Sequence, residues 1–267
     1  MHARAPASSA NLGPGFDTLA LALQLYVDVD VEPAPALCVR SEGEGGNVPG
    51  DASHLAARVA MAVVGHDRLA VTVRSEIPLA RGLGSSAALA VATAAAAGAD
   101  DPLAVAVSLE GHPENAAASV LGGLVTATTV ENRPVAARLA LDPELAFVVV
   151  VPAHAVPTAQ ARKALPGHVL HADAAFNLGR MGLLLAGLAD RRHLMPEATQ
   201  DRLHQPVRQR FFPEAGRNPF PLQALALGTM AAGGGAMGLV YLYLEYRRIT
   251  RREARRAAAA SAAYSAR

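Results

Sequence analysis

Hydrophobic and polar positions change pattern repeatedly along the N-terminal part of the chain. Alternating or β-branched apolar runs predict strands at Leu19–Val31, Leu69–Val73 (running on to Pro78), Val120–Thr129 and Leu145–Val151. Apolar residues at helical spacing predict helices at His54–Val64 and Pro102–Glu110. The segment Gly43–Asp51 is rich in Gly, Glu, Asn and Pro, which predicts a loop before the first of these helices. We therefore expect an α+β fold.

The segment Gly84–Ala97 is almost entirely Ala, Leu and Val, with two serines at its head. This composition predicts a buried helix with Ser85 or Ser86 as its N-cap. We find no internal repeat and no linker. We expect two parts that meet near Pro152, with residues 1–151 in the first, residues 152–216 in the second and an atypical tail over residues 217–267.

Composition narrows the classes of partner. The chain has 267 residues, is 51% hydrophobic and carries a formal net charge of +1, so bulk charge does not favour nucleic acid or an anionic membrane as a partner. Cys38 is the single cysteine, and the start MHARAPASSANLGPG lacks the apolar stretch of a signal peptide, which predicts a cytoplasmic protein. Lys163 is the single lysine, which excludes a Walker A phosphate loop because that motif needs Gly-Lys-Ser/Thr.

A different type of phosphate loop is predicted within Ile77–Ala88. Gly82 and Gly84 let the backbone approach a ligand without a Cβ in the way. Ser85 and Ser86 then open a helix, whose unsatisfied N–H groups and dipole favour a bound anion. The alternative is an ordinary Gly-Ser helix start with no ligand.

The full pattern Pro-x₃-Gly-Leu-Gly-Ser-Ser-Ala-Ala resembles the signature of the GHMP kinase superfamily, which includes galacto-, homoserine, mevalonate and phosphomevalonate kinases. The resemblance implies an N-terminal α/β nucleotide-binding part, a C-terminal α+β part, and ATP held at the helix start. The residues that it implies for ATP are Pro78, Leu79, Ala80, Arg81, Gly82, Leu83, Gly84, Ser85, Ser86, Ala87 and Ala88.

Four further segments resemble homoserine kinases within that superfamily. In the first, Ala5–Asp17, the resemblance implies that Asn11 contacts the substrate hydroxyl and Asp17 the substrate amino group. A turn-rich N-terminal hairpin, with Asn and Asp as turn formers, is the alternative.

The second segment is Glu-Gly-His-Pro-Glu-Asn at residues 110–115. The resemblance makes Glu110 the carboxylate for Mg²⁺ and places His112 and Asn115 at the substrate. The family usually has Asp where this chain has Glu114, and the longer side chain shifts the carboxylate. A solvated polar turn is the alternative.

The third and fourth segments lie in the C-terminal part. Val156–Pro166 predicts a short helix capped by Thr158, and its resemblance makes Arg162 the bidentate partner of the substrate carboxylate. Asp201–Glu214 resembles the family's Leu-His-x-Pro-x-Arg segment, which implies a second carboxylate-binding arginine. Arg208 is our choice, and Arg202 is the other candidate. A solvent-facing arginine or a merely basic helix is the alternative in each case.

The resemblance implies homoserine kinase activity in threonine biosynthesis, with ATP and Mg²⁺ as cofactors and Ser85 and Glu110 as metal ligands. The residues implied for catalysis are Asn11, Ser85, Glu110 and Asn115. The residues implied for substrate binding are Asn11, Asp17, His112, Asn115, Arg162 and Arg208. No general base is identified, and a homodimer is compatible with the sequence. The rival hypothesis is an inactive or weakly active remnant of the same fold with an unrelated C-terminal segment, for which membrane association stays open.

The tail departs from the family. Homoserine kinases normally carry a Gly-rich third motif of the type Ser-Gly-Ala-Gly-Pro-Thr, whereas Ala231–Leu244 offers glycines followed by a strand-like run. Leu222–Leu244 contains 23 residues without a charge, and six arginines follow it. Three interpretations stay open: a divergent third motif with its strand, unrelated sequence from a frameshift or fusion, or a transmembrane helix. We expect impaired closure around the phosphates, and hence poor turnover.

Overall fold

The computed structural model describes residues 1–150, 162–208, 227–233 and 236–243. The chain divides into two compact units: Met1–Ala10 with Asp17–Leu139, and Asn11–Phe16 with Ala140–Arg267. The short segment of residues 11–16 thus belongs to the second unit, although strands of the first unit flank it in sequence. The units change at Leu139, upstream of Pro152, and the three-part assignment at residues 151 and 216 stays a prediction.

The first unit contains one six-stranded sheet. Its strands are β1 (His2–Ala10), β2 (Leu19–Pro33), β3 (Cys38–Gly43), β4 (Leu69–Ser75), β5 (Leu124–Val130) and β6 (Arg133–Arg138). Strand β2 is long enough, at 15 residues, to pair with β5 at Leu19–Leu21 and with β4 at Val27–Pro33, while β1 pairs along its other edge. All three pairings are antiparallel, β3 runs parallel to β4, and β6 pairs antiparallel with β5.

Four helices complete this unit: α1 (Leu55–Val64), α2 (Ser85–Ala96), α3 (Pro102–Glu110) and α4 (Pro113–Leu121). Helix α2 packs on β1 and β2, and α4 packs on β1 and β5. The contact surfaces are built from small side chains, and Ala10, Ala20, Ala117 and Ala118 form one fully buried cluster with Val125. Alanine faces let helix and strand approach closely, which explains how a chain with few aromatic residues fills its core.

Two local predictions are wrong. Neither Ser85 nor Ser86 caps α2. The N-cap residue is Gly84, which has a left-handed φ of 63° and makes no side-chain cap hydrogen bond. Residues Val120 and Leu121 end helix α4 instead of beginning a strand, because Pro113 at its first turn and a run of small residues favour a helix over Pro113–Leu121. Elsewhere in this unit the predicted strands and helices are confirmed, with ends displaced by a few residues.

The second unit combines a small antiparallel sheet with short helices. The sheet has the order β7–β9–β8, with β7 at Ala146–Val150, β8 at Leu227–Gly233 and β9 at Ala236–Tyr243. Helix α5 (His171–Ala189) is followed by 3₁₀ turns at Arg191–His193 and Pro196–Thr199 and by α6 (Gln205–Arg208). Asp142 joins the chain before β7 to the turn after α5: its carboxylate accepts hydrogen bonds from the backbone and guanidinium of Arg191, each at 3.0 Å.

The described part of the uncharged run forms strands β8 and β9, which agrees with a divergent motif and strand and contradicts a transmembrane helix over these residues. Among the described residues, no helix is long and apolar enough to span a bilayer. Residues 244–267, with the arginine cluster, lie outside the described residues, as does the predicted cap Thr158.

Candidate active site

The predicted phosphate loop joins β4 to α2 with an unusual backbone. Ala80, Gly82 and Gly84 all have positive φ, at 55°, 73° and 63°. A left-handed alanine is strained, so the surrounding structure must hold it in place. One contact that holds the loop is a hydrogen bond from the Ser8 N–H, near the end of β1, to the Leu83 carbonyl oxygen at 3.0 Å. Leu83 is itself buried, which anchors the loop to the core.

Three residues distant in sequence converge at Gly84. The Ser8 hydroxyl donates a hydrogen bond to the side-chain oxygen of Asn115 at 2.9 Å, and both side chains are buried. A Cβ at Gly84 would lie 2.2 Å from the Ser8 Oγ and 3.1 Å from the Asn115 Oδ1. Because Ser8 already donates to the Asn115 oxygen, the amide nitrogen of Asn115 is the group that this residue offers as a donor to a ligand. Because Gly84 is the N-cap residue of α2, its close approach to Asn115 places the Asn115 side chain at the start of that helix.

The first turn of α2 has the features of an anion site. Its backbone N–H groups lack partners within the helix, and the positive end of the helix dipole adds to their effect. There is no acidic residue in that turn to compete with a bound anion. Ser85 and Ser86 are half-buried there and can add hydroxyl donors.

A cavity of about 190 Å³ adjoins these serines. Its wall runs from Ser85, Ser86 and Leu79 across the sheet to Ser41 and His54, and is otherwise mostly valine and leucine. The His54 Nδ1 accepts the backbone N–H of Ala56 at 3.1 Å, and its Nε2 lies 3.3 Å from the Ser41 hydroxyl. No sequence pattern predicts this cavity, because its lining comes from several separate segments of the chain.

Residues of the second motif lie at the junction of α3 and α4. Glu110 is the last residue of α3, half-buried, and Gly111 ends that helix with a φ of 78°. His112 is the N-cap residue of α4, and Glu114 lies buried in its first turn. The motif therefore forms a tight helix–helix corner, not the solvated polar turn that was the alternative.

The predicted metal ligands belong to two helices that pack against each other. Helices α2 and α3 are in contact and joined by a short turn; Ser85 is the first residue of α2, and Glu110 is the last residue of α3. One hydroxyl and one carboxylate suit Mg²⁺, which prefers oxygen ligands and commonly takes the rest of its shell from phosphates and water. Across the described residues, no three His, Cys, Asp or Glu side chains form a metal cluster of their own.

In the second unit, residues 11–16 form a tight turn. Asn11 is fully buried with a φ of 61°, and the Gly15 N–H donates to the Leu12 carbonyl oxygen at 3.0 Å. Gly13 has a φ of 52°, and a Cβ there would lie 3.1 Å from the Thr199 carbonyl oxygen. The turn is thus pressed against the 3₁₀ helix that contains Thr199. Asp17, half-buried with a φ of 52°, follows this turn and belongs to the first unit.

Both arginines chosen from the sequence lie beside one aromatic ring in this unit. The guanidinium carbons of Arg208 and Arg162 lie 5.0 Å and 5.8 Å from the centre of the Phe16 ring. His204 stacks on the same ring, with centroids 5.0 Å apart and an interplanar angle of 25°. Arg208 is buried and Arg162 half-buried. Two cations within reach of one ring form a natural receptor for a small carboxylate.

The other candidate, Arg202, is engaged elsewhere. Its guanidinium lies 3.9 Å from the centre of the Phe176 ring and 3.2 Å from the Asp173 carboxylate, on the exposed side of α5. This geometry favours Arg208 as the second carboxylate ligand. The role of either arginine in substrate binding stays a prediction.

Comparison with known proteins identifies the family. The family described as GHMP kinases N terminal domain matches residues 51–123. The homoserine kinase of Mycolicibacterium vanbaalenii is 43% identical over 252 residues, which cover 86% of this chain and 80% of the relative. That of Corynebacterium glutamicum is 41% identical, with 88% and 83% covered. This chain belongs to the homoserine kinase family.

Solved structures agree on the fold. The homoserine kinase of Cytophaga hutchinsonii matches with a TM-score of 0.75 at 23% identity, covering 97% of this chain and 89% of that one. The L. major mevalonate kinase matches with a TM-score of 0.72 at 15% identity, covering 98% and 91%. At such identities the likeness shows the fold alone, and it confirms the predicted GHMP-kinase-like α+β architecture.

Membership of the homoserine kinase family over most of the chain does not favour the rival hypothesis of an inactive remnant. Two residues of this site were not predicted from the sequence: Ser8, whose hydroxyl donates to Asn115, and His204, which stacks on Phe16. Ser8 lay within the first motif and His204 within the fourth. Each was overlooked because its partner is distant in sequence.

Proposed function

We propose that this chain transfers the γ-phosphoryl group of ATP to the side-chain hydroxyl of homoserine, a step towards threonine. The observation that carries the proposal is the 43% identity to a homoserine kinase over 86% of the chain. In the reaction, the hydroxyl oxygen bonds to the γ-phosphorus while the bond from that phosphorus to the β–γ bridging oxygen breaks, and ADP leaves. The proton of the hydroxyl passes to the transferred phosphoryl group, since no side chain is assigned as general base.

The ATP end of the proposal rests on the first unit. The phosphates would lie at the N terminus of α2, where the backbone N–H groups and the Ser85 and Ser86 hydroxyls donate to them. The adjoining cavity, apolar with a few polar groups, suits a nucleoside that continues from those phosphates. A GHMP-type loop needs no lysine for this, which agrees with the single Lys163 of this chain.

Mg²⁺ fits the oxygen donors of Ser85 and Glu110 together with phosphate oxygens. When bound, it would neutralise charge that develops on the transferred group. The protein's own task at this point is to hold a carboxylate and a hydroxyl at the ends of two packed helices.

The resemblance to homoserine kinases supports the assignments at the homoserine end. We assign the hydroxyl to Asn11 and Asn115, the amino group to Asp17, and a further substrate contact to His112. The carboxylate goes to Arg162 and Arg208, the two arginines next to Phe16. Phosphoryl transfer depends on positioning and charge stabilisation more than on covalent chemistry, so these contacts account for the catalysis that we propose.

The test is a coupled assay of ADP release with the full chain, Mg²⁺ and ATP. Homoserine should raise turnover well above the background ATPase rate, and phosphorus NMR of the product should show a new phosphomonoester on the homoserine side chain. Mevalonate and galactose, the substrates of other superfamily members, serve as controls. Equal stimulation by galactose would contradict the assignment. The kcat in the same assay tests the poor turnover that we expect from the atypical tail.

Three further parts of the proposal concern the protein's context. We expect it to work in the cytoplasm, where ATP is abundant and a protein with one cysteine needs no disulfide. A homodimer is compatible with the sequence, and light scattering would measure the assembly. Nucleic acid is not expected as a partner at a formal net charge of +1.

A further inference from the structure

His204 is a buried histidine to which no part of the proposed function gives a task. Its side chain is fully buried at the start of α6. The Nε2 atom lies 2.8 Å from the carbonyl oxygen of Gly13, and the Nδ1 atom lies 3.5 Å from an Nη1 of Arg208. One imidazole therefore contacts both the turn that contains Asn11 and the arginine that we assign to the substrate carboxylate.

The partners decide which nitrogen carries the proton. A carbonyl oxygen can accept but not donate, so the Nε2 must donate to Gly13. The Asp201 carboxylate, 3.8 Å from the same nitrogen, also favours a proton there. A guanidinium can donate but not accept, so the Nδ1 must present its lone pair to Arg208. These two contacts favour the tautomer with its proton on Nε2 and its lone pair on Nδ1.

The imidazole is held in this orientation from several sides. The Asp201 carboxylate accepts the backbone N–H groups of His204 and Gln205, at 2.8 Å and 2.7 Å, which fixes the start of α6. Asp201 also accepts a hydrogen bond from the side-chain amide of Asn177, at 2.6 Å. The Phe16 ring is stacked on one face of the imidazole. The ring has little freedom to rotate or to exchange its two partners.

We propose that His204 is a positioning residue for homoserine, which holds the Asn11 turn through Nε2 and orients the Arg208 guanidinium through Nδ1. The proposal rests on the proposed function, because it assigns the hydroxyl to Asn11 and the carboxylate to Arg208. His204 itself need not touch the substrate. It sets the spacing between the groups that receive the two ends of the substrate molecule.

Two substitutions separate the two contacts. The amide nitrogen of a glutamine can reach the place of the imidazole Nε2, so His204→Gln keeps the donor to Gly13 and loses the acceptor for Arg208. The amide oxygen of an asparagine can reach the place of Nδ1, so His204→Asn keeps the acceptor for Arg208 and loses the donor to Gly13. The same substitutions at His193, an exposed histidine of the same unit, give matched controls.

The expected results differ between the two variants. His204→Gln should raise the KM for homoserine at least about fivefold with kcat largely kept, because it removes a hydrogen bond that orients a binding group. His204→Asn should lower kcat at least about fivefold with a smaller change in KM, because the turn that meets the reacting hydroxyl is loosened. The KM for ATP should stay constant in both, and the His193 variants should match the wild type.

An independent measurement avoids any dependence on the folding of variants. In the ligand-free wild-type chain with ¹⁵N-labelled histidine, the His204 nitrogens should show a neutral ring protonated at Nε2 at pH 7. A ring protonated at Nδ1, or an equal fall of kcat/KM for both substrates in both variants, would overturn the proposal. Wild-type chain without homoserine-dependent turnover would instead defeat the proposed function, while the nitrogen shifts would still report on the His204 contacts.

Discussion

Gly84 limits what can stand at the start of helix α2. It has a left-handed φ of 63°, and the space beside its Cα is taken by the Ser8 hydroxyl and the Asn115 side chain. Only a residue without a Cβ fits both demands. The same contact brings Asn115 to the helix start that we assign to the ATP phosphates. At this residue, the backbone conformation and the close approach of Ser8 and Asn115 both depend on the absence of a Cβ.

We predict that Gly84→Ala both destabilises the protein and weakens ATP binding. The left-handed backbone alone costs about 1–2 kcal/mol with a Cβ, and the contact at 2.2 Å must also push Ser8 aside. The matched control is Gly65→Ala, which has a φ of 82° but meets nothing within 4 Å and so carries the backbone cost alone. Urea unfolding and the KM for ATP measure the two effects. Equal unfolding free energies for the two variants would contradict the close packing at Gly84.

Arg162 gives a second test at the residue scale. Arg162→Lys keeps the positive charge but loses the fork that binds a carboxylate through two hydrogen bonds. A hydrogen bond to a charged group contributes roughly 1.5–3 kcal/mol, so kcat/KM for homoserine should fall at least about tenfold, with little change in the KM for ATP. Arg192→Lys, at an exposed arginine paired with Asp190, is the control. An unchanged KM for homoserine would remove Arg162 from the site.

Helix α1 shows how an element of the fold also contributes to the candidate site. His54 is its N-cap residue and accepts the Ala56 N–H, and its ring lines the cavity beside Ser85. Burial lowers the pKa of His54 below its ordinary value of 6.5, while the nearby Asp51 opposes this effect more weakly. The cap therefore depends on a neutral imidazole, since a proton on Nδ1 would remove the acceptor.

From this cap we predict a loss of stability in mild acid. The unfolded chain takes up a proton on His54 near pH 6.5 and the folded chain resists it, so the contribution is complete above pH 6.5 and is lost as the pH falls towards the lower folded pKa. His54→Asn keeps a good N-cap and removes the titration. Between pH 7.5 and pH 5.5, the urea unfolding midpoint should fall further for the wild type than for this variant. An equal fall in both proteins would exclude the role of His54.

Elements were predicted from sequence where local patterns decide them. Helix α3 was predicted with its observed ends because Asp101 and Pro102 give a strong start and Gly111 a strong stop. Strand β1 was not predicted because its Ser, Ala and Pro residues have no strand periodicity, and it forms by pairing with β2. The convergence of Ser8, Gly84 and Asn115 could not be predicted, because it depends on tertiary packing of three segments.

At the scale of the whole molecule, the tail joins the second unit through strand pairing. Strand β9 is the central strand of its sheet, with β7 on one side and β8 on the other. Val240 is aligned with Val149 of β7 and with Thr229 of β8. The tail lacks the family's usual third motif, but its strand β9 is nevertheless the central strand of the sheet that contains β7.

We predict that Val240→Pro disrupts this sheet. Proline has no backbone N–H to donate to the neighbouring strand, and a lost backbone hydrogen bond costs roughly 0.5–1.5 kcal/mol. The thermal unfolding midpoint should fall, whereas Val240→Ile, which keeps β-branching, should leave it nearly unchanged. Hydrogen exchange should show lost protection in β7. If the proline variant kept its midpoint and its protection, the central place of β9 would be wrong.

The turn of residues 11–16 has a consequence for the order in which the molecule is completed. Its carbonyl at Gly13 is matched to His204, 191 positions later, and its backbone packs on Thr199. During synthesis from the N terminus, strands β1 and β2 leave the ribosome long before either partner exists. The turn therefore cannot make either contact until residues 199 and 204 have been synthesised. A nascent chain halted before residue 199 should contain the whole sequence of the first unit but lack both contacts of this turn.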